Sequence, residues 1–163
     1  VPALEVDGKM LAESSALERY AAKLIGLYPT DPVACAEVDA LGSYVRELYE
    51  MLATTFLIED ADARLKAVQT MVAGRLKVRL ELVNSMIEAL NGTFLMGDEL
   101  SMPDIQAYVA LSNLASGTIT GVPTDILENY PVLKAFHNRV AELPAFAAYY
   151  ANAEGLWTSF KPL

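Results

Sequence analysis

The sequence predicts an α+β chain that is mostly helical, with a β-hairpin and one helix followed by an all-α bundle. Three observations carry this prediction. Residues 1–11 are largely apolar around an Asp7-Gly8 pair, which is typical of a two-residue hairpin turn. Residues 28–32 contain two prolines and an aspartate, which interrupt any regular element. Beyond this break, apolar residues recur at helical spacing almost to the C-terminus.

Each of the first two helices has a sequence signal at its beginning or end. From about Ser14 the apolar residues share one helical face, and Gly26 offers a C-terminal stop. The helix after the break has Thr30 or Asp31 as its N-cap and Pro32 in its first turn. The apolar residues that step by three and four along these helices are Leu17, Tyr20, Ala21 and Leu24, then Val38, Leu41, Val45, Leu48 and Leu52.

A long helix and three shorter helices complete the predicted bundle. The long helix starts near Asp60 and continues for roughly 30 residues, well beyond the usual length, until Asn91-Gly92 ends it. We expect it to pack antiparallel to the helix before it. The next helix opens at Ser101, where Asp104 can return a hydrogen bond as in a capping box. Two short helices follow the prolines at positions 131 and 144.

The composition argues against several classes of function. The 163 residues are enough for one domain or two small ones. Twenty-one acidic residues against twelve lysines and arginines give a formal charge of −9, which disfavours binding to nucleic acid or to anionic lipid. The single cysteine, Cys35, cannot form an internal disulfide and favours a reducing compartment. One histidine with one cysteine argues against a structural zinc site.

Local chemistry alone does not name a reaction. The sequence lacks a phosphate-binding glycine loop, a Gly-x-Ser-x-Gly elbow and a His-Glu-x-x-His motif. His137 lies among apolar residues of a predicted helix, where a structural role is favoured over a catalytic one. Cys35 lies near a helix N-terminus, where thiols can be activated, but a packing role is favoured. Glu13 precedes Ser14 at a strand-to-helix junction, which is either an anion site or a helix end that Ser14 only caps.

Several motifs follow one another in a specific order. Residues 1–8 read Val-Pro-Ala-Leu-Glu-Val-Asp-Gly, residues 11–17 read Leu-Ala-Glu-Ser-Ser-Ala-Leu, Arg19-Tyr20 follows, and residues 101–105 read Ser-Met-Pro-Asp-Ile. Together they resemble the cytosolic glutathione S-transferases. In that family a cis-proline loop, a hairpin and a Gln/Glu-Ser pair belong to a thioredoxin-like domain, and the last motif belongs to an all-helical domain. The first motif, with Val38-Asp39, is most similar to the sigma class.

The resemblance covers the whole chain and implies its domain organisation. Residues 1–27 would be the C-terminal half of the thioredoxin-like, glutathione-binding domain. Residues 28–32 would be a linker, and residues 33–163 the all-α C-terminal domain. The implied fold is a remnant of an α/β domain, consisting of a hairpin plus a helix, followed by a helical bundle.

The resemblance also implies a glutathione site. Val1 would bond the cysteinyl backbone of glutathione through its own N–H and C=O, in the manner of an added β-strand, and Pro2 would be the cis-proline that aims the backbone of Val1 at the ligand. Ser14 would bind the γ-glutamyl carboxylate through its hydroxyl and amide groups. Glu13, in place of the sigma-class Gln, would bind the γ-glutamyl ammonium. Glu47 matches an acidic residue that reaches the glutathione of the partner subunit in sigma dimers.

The activity implied by the resemblance is conjugation of the glutathione thiolate to small, hydrophobic, soft electrophiles, as in detoxification. Arg46, Tyr49 and Gln106 would lie near the electrophile pocket, although Arg46 occupies a position where the family commonly has an acidic residue. The resemblance implies glutathione as co-substrate with no other cofactor and no metal. It implies a cytoplasmic homodimer with no nucleic-acid or membrane partner.

The family's activating residue, a Tyr in the sigma class, lies in the first βαβ unit of the thioredoxin-like domain. The sequence from Val1 onward does not contain that unit, so we expect it, with the catalytic residue, upstream of Val1. Three interpretations stay open. The first is a glutathione transferase in its complete form. The second is a non-catalytic structural, ligand-binding or protein-interaction module of the same fold, and a plain helical ligand carrier is a third.

Overall fold

A computed structural model describes residues 2–90 and 92–163, which are mostly helical with one two-stranded antiparallel sheet. The strands are β1 (Ala3–Val6) and β2 (Lys9–Ala12). The helices are α1 (Ser14–Leu24), α2 (Pro32–Ala53), α3 (Ala61–Met71), α4 (Lys77–Glu88), α5 (Met102–Ala115), α6 (Pro131–Ala141) and α7 (Pro144–Tyr149). Short 3-10 helices occupy Thr54–Leu57, Ile126–Asn129 and Gly155–Phe160. The predicted mostly helical α+β architecture is confirmed.

The hairpin forms around the predicted turn. Val6 pairs with Lys9, which leaves Asp7 and Gly8 as the two loop residues. Their φ angles are 49° and 76°, so both central residues have the left-handed conformation that a type I′ turn requires. A turn of this type matches the twist of the two strands and sets their register. Strand β2 ends at Ala12, so Glu13 directly follows it.

The helix caps lie where the sequence places them. The side chain of Asp31 accepts hydrogen bonds from the amides of Val33 and Ala34, both at 3.0 Å, and Pro32 is the first residue of α2. Asp60 caps α3 in the same way. These aspartates satisfy amides that a helix N-terminus otherwise leaves without partners.

The long helix predicted between Asp60 and Asn91 is divided, because a π-helical turn at Val72–Leu76 separates α3 from α4. Val68 and Leu76 are both buried, and an eight-residue step in a straight α-helix would turn the second side chain by about 80° away from the first. The wider π turn absorbs that rotation, so both residues face the core. Helix α4 ends at Glu88, and the predicted stop at Asn91 lies outside the described residues.

Helix α5 forms the centre of the bundle. Its side chains Tyr108 and Leu111 are fully buried, and α2 and α6 make its most extensive contacts. Helix α1 joins the bundle through a smaller cluster in which Ala22 packs with residues of α2 and α5. The predicted apolar stripe of α1 differs from the buried one, since Leu24 is 69% exposed.

One buried carboxylate fixes the start of α5. Asp104 is fully buried and accepts hydrogen bonds from the amides of Leu95 at 2.7 Å and Ser101 at 2.8 Å. Ser101 and Asp104 form the predicted capping box. Burial raises the pKa of Asp104 above its ordinary value. Because α5 lines the cavity described below, this anchor also positions the cavity wall.

Candidate functional site

The junction between β2 and α1 holds a strained residue. Glu13 has φ 73° and ψ 118°, a conformation that non-glycine residues rarely adopt. In the described part of the chain, Asp7 and Glu13 are the two non-glycine residues with a positive φ. Its carbonyl accepts hydrogen bonds from the amides of Ala16 at 2.9 Å and Leu17 at 3.0 Å, which begin the helix. Strain of this kind costs about 1–3 kcal/mol and concentrates at ligand sites.

The side chain of Glu13 does not cap α1, although Glu13 occupies the N-cap position. Ser14 is the first helical residue, so the interpretation that Ser14 only caps the helix is wrong. Glu13, Ser14 and the first amides of α1 therefore all belong to one helix N-terminus. Such a group of donors and one acceptor suits a ligand that carries both an anion and an ammonium.

Two contacts hold α1 and the segment after it against the bundle. Arg19 forms an ion pair with Asp39 of α2 at 2.8 Å, and its guanidinium also donates to the carbonyl of Ser15 at 3.2 Å. The amide of Met102, the first residue of α5, donates to the carbonyl of Leu27 at 2.9 Å. Helix α1 is thus tied to α2 through Arg19 and, through the segment that follows its C-terminal end, to α5.

An open cavity of about 520 Å³ lies among α1, α2 and α5. Its polar lining comes from Glu18, Arg46, Tyr49, Glu50, Gln106 and Asn113, and its apolar lining from Ala53, Ile105, Val109 and Ala110. Glu18 follows Ser14 by four residues, so both lie on one face of α1, about 6 Å apart along the helix axis. The junction and the cavity are therefore neighbours.

The structure brings together three of the residues predicted from the sequence and separates a fourth. Arg46, Tyr49 and Gln106 all line the cavity, with Gln106 on α5 and the other two on α2. Glu47 points elsewhere: it forms an ion pair with Arg79 of α4 at the outer surface of the bundle. The role of each residue toward a ligand stays a prediction.

The predicted contact of Val1 lies outside the described residues. The peptide bond before Pro2 includes Val1, so the predicted cis geometry of Pro2 lies outside them as well. Pro2 itself is exposed at the start of the hairpin.

Two other residues that the sequence singled out, His137 and Cys35, make contacts that suit a structural role. His137 is fully buried, its Nε2 lies 2.9 Å from the hydroxyl of Ser112, and burial lowers its pKa below the ordinary value. Cys35 donates its thiol proton to the carbonyl of Pro29 at 3.2 Å. Neither residue lines the cavity. In the described part of the chain, no cluster of acidic, histidine or cysteine residues could hold a metal ion.

Sequence reasoning missed Glu18, which holds the polar wall of the cavity together. Its carboxylate bonds Arg46, 28 residues away, and Gln106, 88 residues away. The available signal was the spacing of four between Ser14 and Glu18, which puts an acidic residue beside the predicted glutathione site. No local pattern shows which residues of other helices it meets.

The helical part of the chain matches a known domain. Residues 46–153, more than half of the chain, match the family model described as Glutathione S-transferase, C-terminal domain. The chain belongs to the glutathione S-transferase family. The match lies within the part of the sequence that resembles the all-α domain of that family, and it includes all of α5 and α6.

Individual members of the family match nearly the whole chain. A glutathione S-transferase of Antechinus stuartii is 25% identical over 152 residues, which are 93% of this chain and 66% of that protein. S-crystallin 4 of Enteroctopus dofleini is 27% identical over 164 residues, which cover 91% of this chain and 73% of that protein. The structure of prostaglandin synthase D of Nilaparvata lugens has a TM-score of 0.80 at 27% identity and covers 94% of this chain and 74% of that one. The chain spans 62 to 66% of the length of the first curated glutathione transferases it matches.

Proposed function

We propose that this protein, in its complete form, is a glutathione transferase that conjugates the glutathione thiolate to soft electrophiles, as in detoxification. The observation that carries the proposal is Glu13, held at φ 73° directly before Ser14, in a chain of the glutathione S-transferase family. The γ-glutamyl end of glutathione carries one ammonium and one carboxylate. A carboxylate beside helix amides and a hydroxyl complements both groups.

Each residue of the site has a stated role in the proposal. Glu13 binds the ammonium, and the hydroxyl and amide of Ser14 bind the γ-glutamyl carboxylate. Val1 pairs with the cysteinyl backbone, and Pro2 orients Val1 for that contact. The thiol loses its proton, the sulfur bonds the electrophilic carbon, and the leaving group departs. The residue that activates the thiol belongs to the upstream segment, and glutathione is the co-substrate without any other cofactor.

The electrophile occupies the cavity beside the junction. Its lining combines the apolar side chains of α5 with Tyr49, which suits a small hydrophobic molecule. Because the cavity lies one helical turn from Ser14, a glutathione bound at the junction can place its thiol near the cavity mouth. Binding both substrates in fixed orientation is the contribution to catalysis that this chain makes.

The proposal includes the domain division and the class. Residues 1–27 form part of the glutathione-binding domain, residues 28–32 the linker and residues 33–163 the helical domain. The small cluster of Ala22, Val38 and Met102 supports this division, because it packs the first part against the second.

The motif in residues 1–8 together with Val38-Asp39 supports the sigma class. A cytoplasmic location follows from the same resemblance. In the part of the chain that the structure describes, no helix is both long enough and apolar enough to span a membrane.

We propose a homodimer because neighbouring helices of the bundle carry opposite charge and exposed apolar side chains. Residues 64–79, on α3 and α4, hold five basic and no acidic side chains in a chain of net charge −9. The neighbouring helix α2 carries four acidic side chains and one arginine. The exposed apolar residues Tyr44, Val78 and Leu82 lie on these same helices. A second copy related by a two-fold axis would bring the basic segment of each copy toward helix α2 of the other.

A second candidate function is a structural, non-catalytic protein of this fold. The observation that favours it is the similarity to S-crystallin 4, which this chain matches over 73% of its length. A fold shared with enzymes does not by itself establish activity.

Conjugation by the complete protein separates the two candidates. We expect the purified full-length protein to bind glutathione in calorimetry and to catalyse its reaction with chlorodinitrobenzene above the uncatalysed rate. A protein that is saturated with glutathione and conjugates none of a panel of electrophiles would support the structural candidate. A sizing column with light scattering tests the dimer in the same preparation, and a monomer would contradict that part of the proposal.

A further inference from the structure

A single carboxylate oxygen connects the three helices around the cavity. Oε2 of Glu18 accepts a hydrogen bond from Nη2 of Arg46 at 2.5 Å and another from Nε2 of Gln106 at 2.6 Å. Glu18 lies on α1, Arg46 on α2 and Gln106 on α5. Both bonds have an ionised carboxylate as the acceptor, and hydrogen bonds of this charge-assisted kind are stronger than those between neutral groups. Glu18 therefore determines where the two long polar side chains of the cavity wall are held.

Arg46 is the one cation among the described residues that line the cavity, and two carboxylates face it. Besides Glu18, Glu50 lies 3.9 Å away on the next turn of α2. Arg46 is only 28% exposed in this arrangement. The lining thus has one positive and two negative side chains, and the guanidinium is directed at both protein carboxylates.

The amide nitrogen of Gln106 bonds Glu18, and the amide oxygen lies against Gly42, which has no side chain. Oε1 of Gln106 occupies the space into which a Cβ at Gly42 would project, and in the described part of the chain it is one of two buried side-chain oxygen atoms without a partner. The amide nitrogen is therefore committed to Glu18, and the oxygen is directed at the backbone of α2. The amide oxygen is an acceptor and does not bind an anionic group, and the NH₂ group is held by the carboxylate of Glu18.

These contacts affect which electrophiles the cavity accepts, an inference that rests on the function proposed above. We propose that Glu18 is a specificity-determining residue that restricts the cavity to uncharged, apolar electrophiles by holding Arg46 and Gln106. An electrophile with a carboxylate would meet two acidic side chains at short range and no available cation. An uncharged electrophile of the same shape meets the apolar side chains of α5 without that repulsion.

A matched pair of electrophiles tests the proposal. Chlorodinitrobenzene and chlorodinitrobenzoate both lose chloride when the glutathione sulfur bonds the ring carbon and the thiol proton passes to solvent, and they differ by one carboxylate. The measurement is kcat/KM for each, divided by its uncatalysed rate, in the full-length protein and in three variants. The variants are Glu18→Gln, the double variant Glu18→Gln with Arg46→Gln, and the control Glu88→Gln. Glu88 is exposed at the end of α4, away from the cavity, and its substitution changes the net charge equally.

We expect the wild type to prefer the neutral electrophile and Glu18→Gln to shift that preference about tenfold or more toward the benzoate. The double variant should lose the shift, because Arg46 is the cation that the substitution releases. Glu88→Gln should keep the wild-type preference. An unchanged preference in Glu18→Gln, an equal shift in Glu88→Gln, or a shift that survives in the double variant would each overturn the proposal.

Direct binding keeps this test separate from the proposed activity. Dinitrobenzene and dinitrobenzoate, which lack the leaving group, are titrated by calorimetry into the same proteins. If no variant turns over either chloride while dinitrobenzoate binds more tightly to Glu18→Gln than to wild type, the role of Glu18 holds and the transferase proposal fails. If turnover is present and neither measure of selectivity changes, the transferase proposal holds and the role of Glu18 fails.

Discussion

Replacing Asp104 by Asn tests whether one buried carboxylate holds the start of α5 and, with it, the cavity wall. In the native structure both carboxylate oxygens accept buried hydrogen bonds, from Leu95 and from Ser101. An asparagine keeps one oxygen and presents an NH₂ group in place of the other. If the oxygen faces Leu95, the amide of Ser101 then meets a second donor and loses its partner. Ser101 is only 7% exposed, so water does not replace the lost bond.

The expected cost follows from the number and kind of bonds affected. A hydrogen bond to a charged group contributes about 1.5–3 kcal/mol, and a buried donor left without a partner costs about 1–3 kcal/mol. The neutral side chain recovers part of this, because burial of the ionised carboxylate is itself unfavourable, as the raised pKa of Asp104 shows. We expect Asp104→Asn to lower the free energy of unfolding by about 3 kcal/mol.

Urea unfolding followed by circular dichroism measures this loss, which corresponds to a midpoint about 1–2 M lower if the slope is unchanged. Ser101→Ala keeps both backbone donors to Asp104 and should cost about 1 kcal/mol. Asp98→Asn is the matched control, since Asp98 is exposed and its contacts with Thr93 are 3.3 and 3.4 Å long; we expect a change within about 0.5 kcal/mol. Equal losses in Asp104→Asn and Asp98→Asn would refute the reasoning.

Two further predictions concern pH and backbone strain. Burial lowers the pKa of His137, so below its ordinary value of 6.5 the unfolded chain binds a proton that the native protein does not, and stability should fall as the pH decreases through that value. His137 is the one histidine of the sequence, and urea unfolding at several pH values should show this slope in wild type and a shallower one in His137→Gln; parallel slopes would contradict the assignment. Glu13→Gly should raise the free energy of unfolding by about 1 kcal/mol, since glycine adopts a positive φ without strain, while glutathione binding weakens. A variant that gains stability and keeps its affinity for glutathione would show that Glu13 has no binding role.

The sequence predicts the elements that short-range chemistry determines. The Asp7-Gly8 turn, the N-cap at Asp31 and the capping box at Ser101 each depend on residues no more than three positions apart. Such signals are sufficient because the side chain and the backbone groups it satisfies are already neighbours in the chain. The start of α1 also followed from the pattern, but its strained N-cap at Glu13 did not.

Features that depend on contact between distant segments could not be predicted from local patterns. The π turn at Val72–Leu76 exists because Val68 and Leu76 must face the same core, and the sequence alone does not say where that core lies. The bonds from Glu18 to Arg46 and Gln106 join three helices, so they require the packed bundle. The resemblance to the family did place Arg46 and Gln106 near one pocket, and both line the cavity.

The glutathione affinity of the complete protein, compared with those of Ser14→Ala and Ser15→Ala, tests the central claim most directly. Both serines lie in the first turn of α1, and in the proposed site only the hydroxyl of Ser14 binds the γ-glutamyl carboxylate. Calorimetry should show binding by wild type, an affinity about ten- to hundredfold lower in Ser14→Ala, as expected for loss of a charge-assisted hydrogen bond, and little change in Ser15→Ala. A wild-type protein that does not bind glutathione, or two serine variants with the same affinity, would contradict the account.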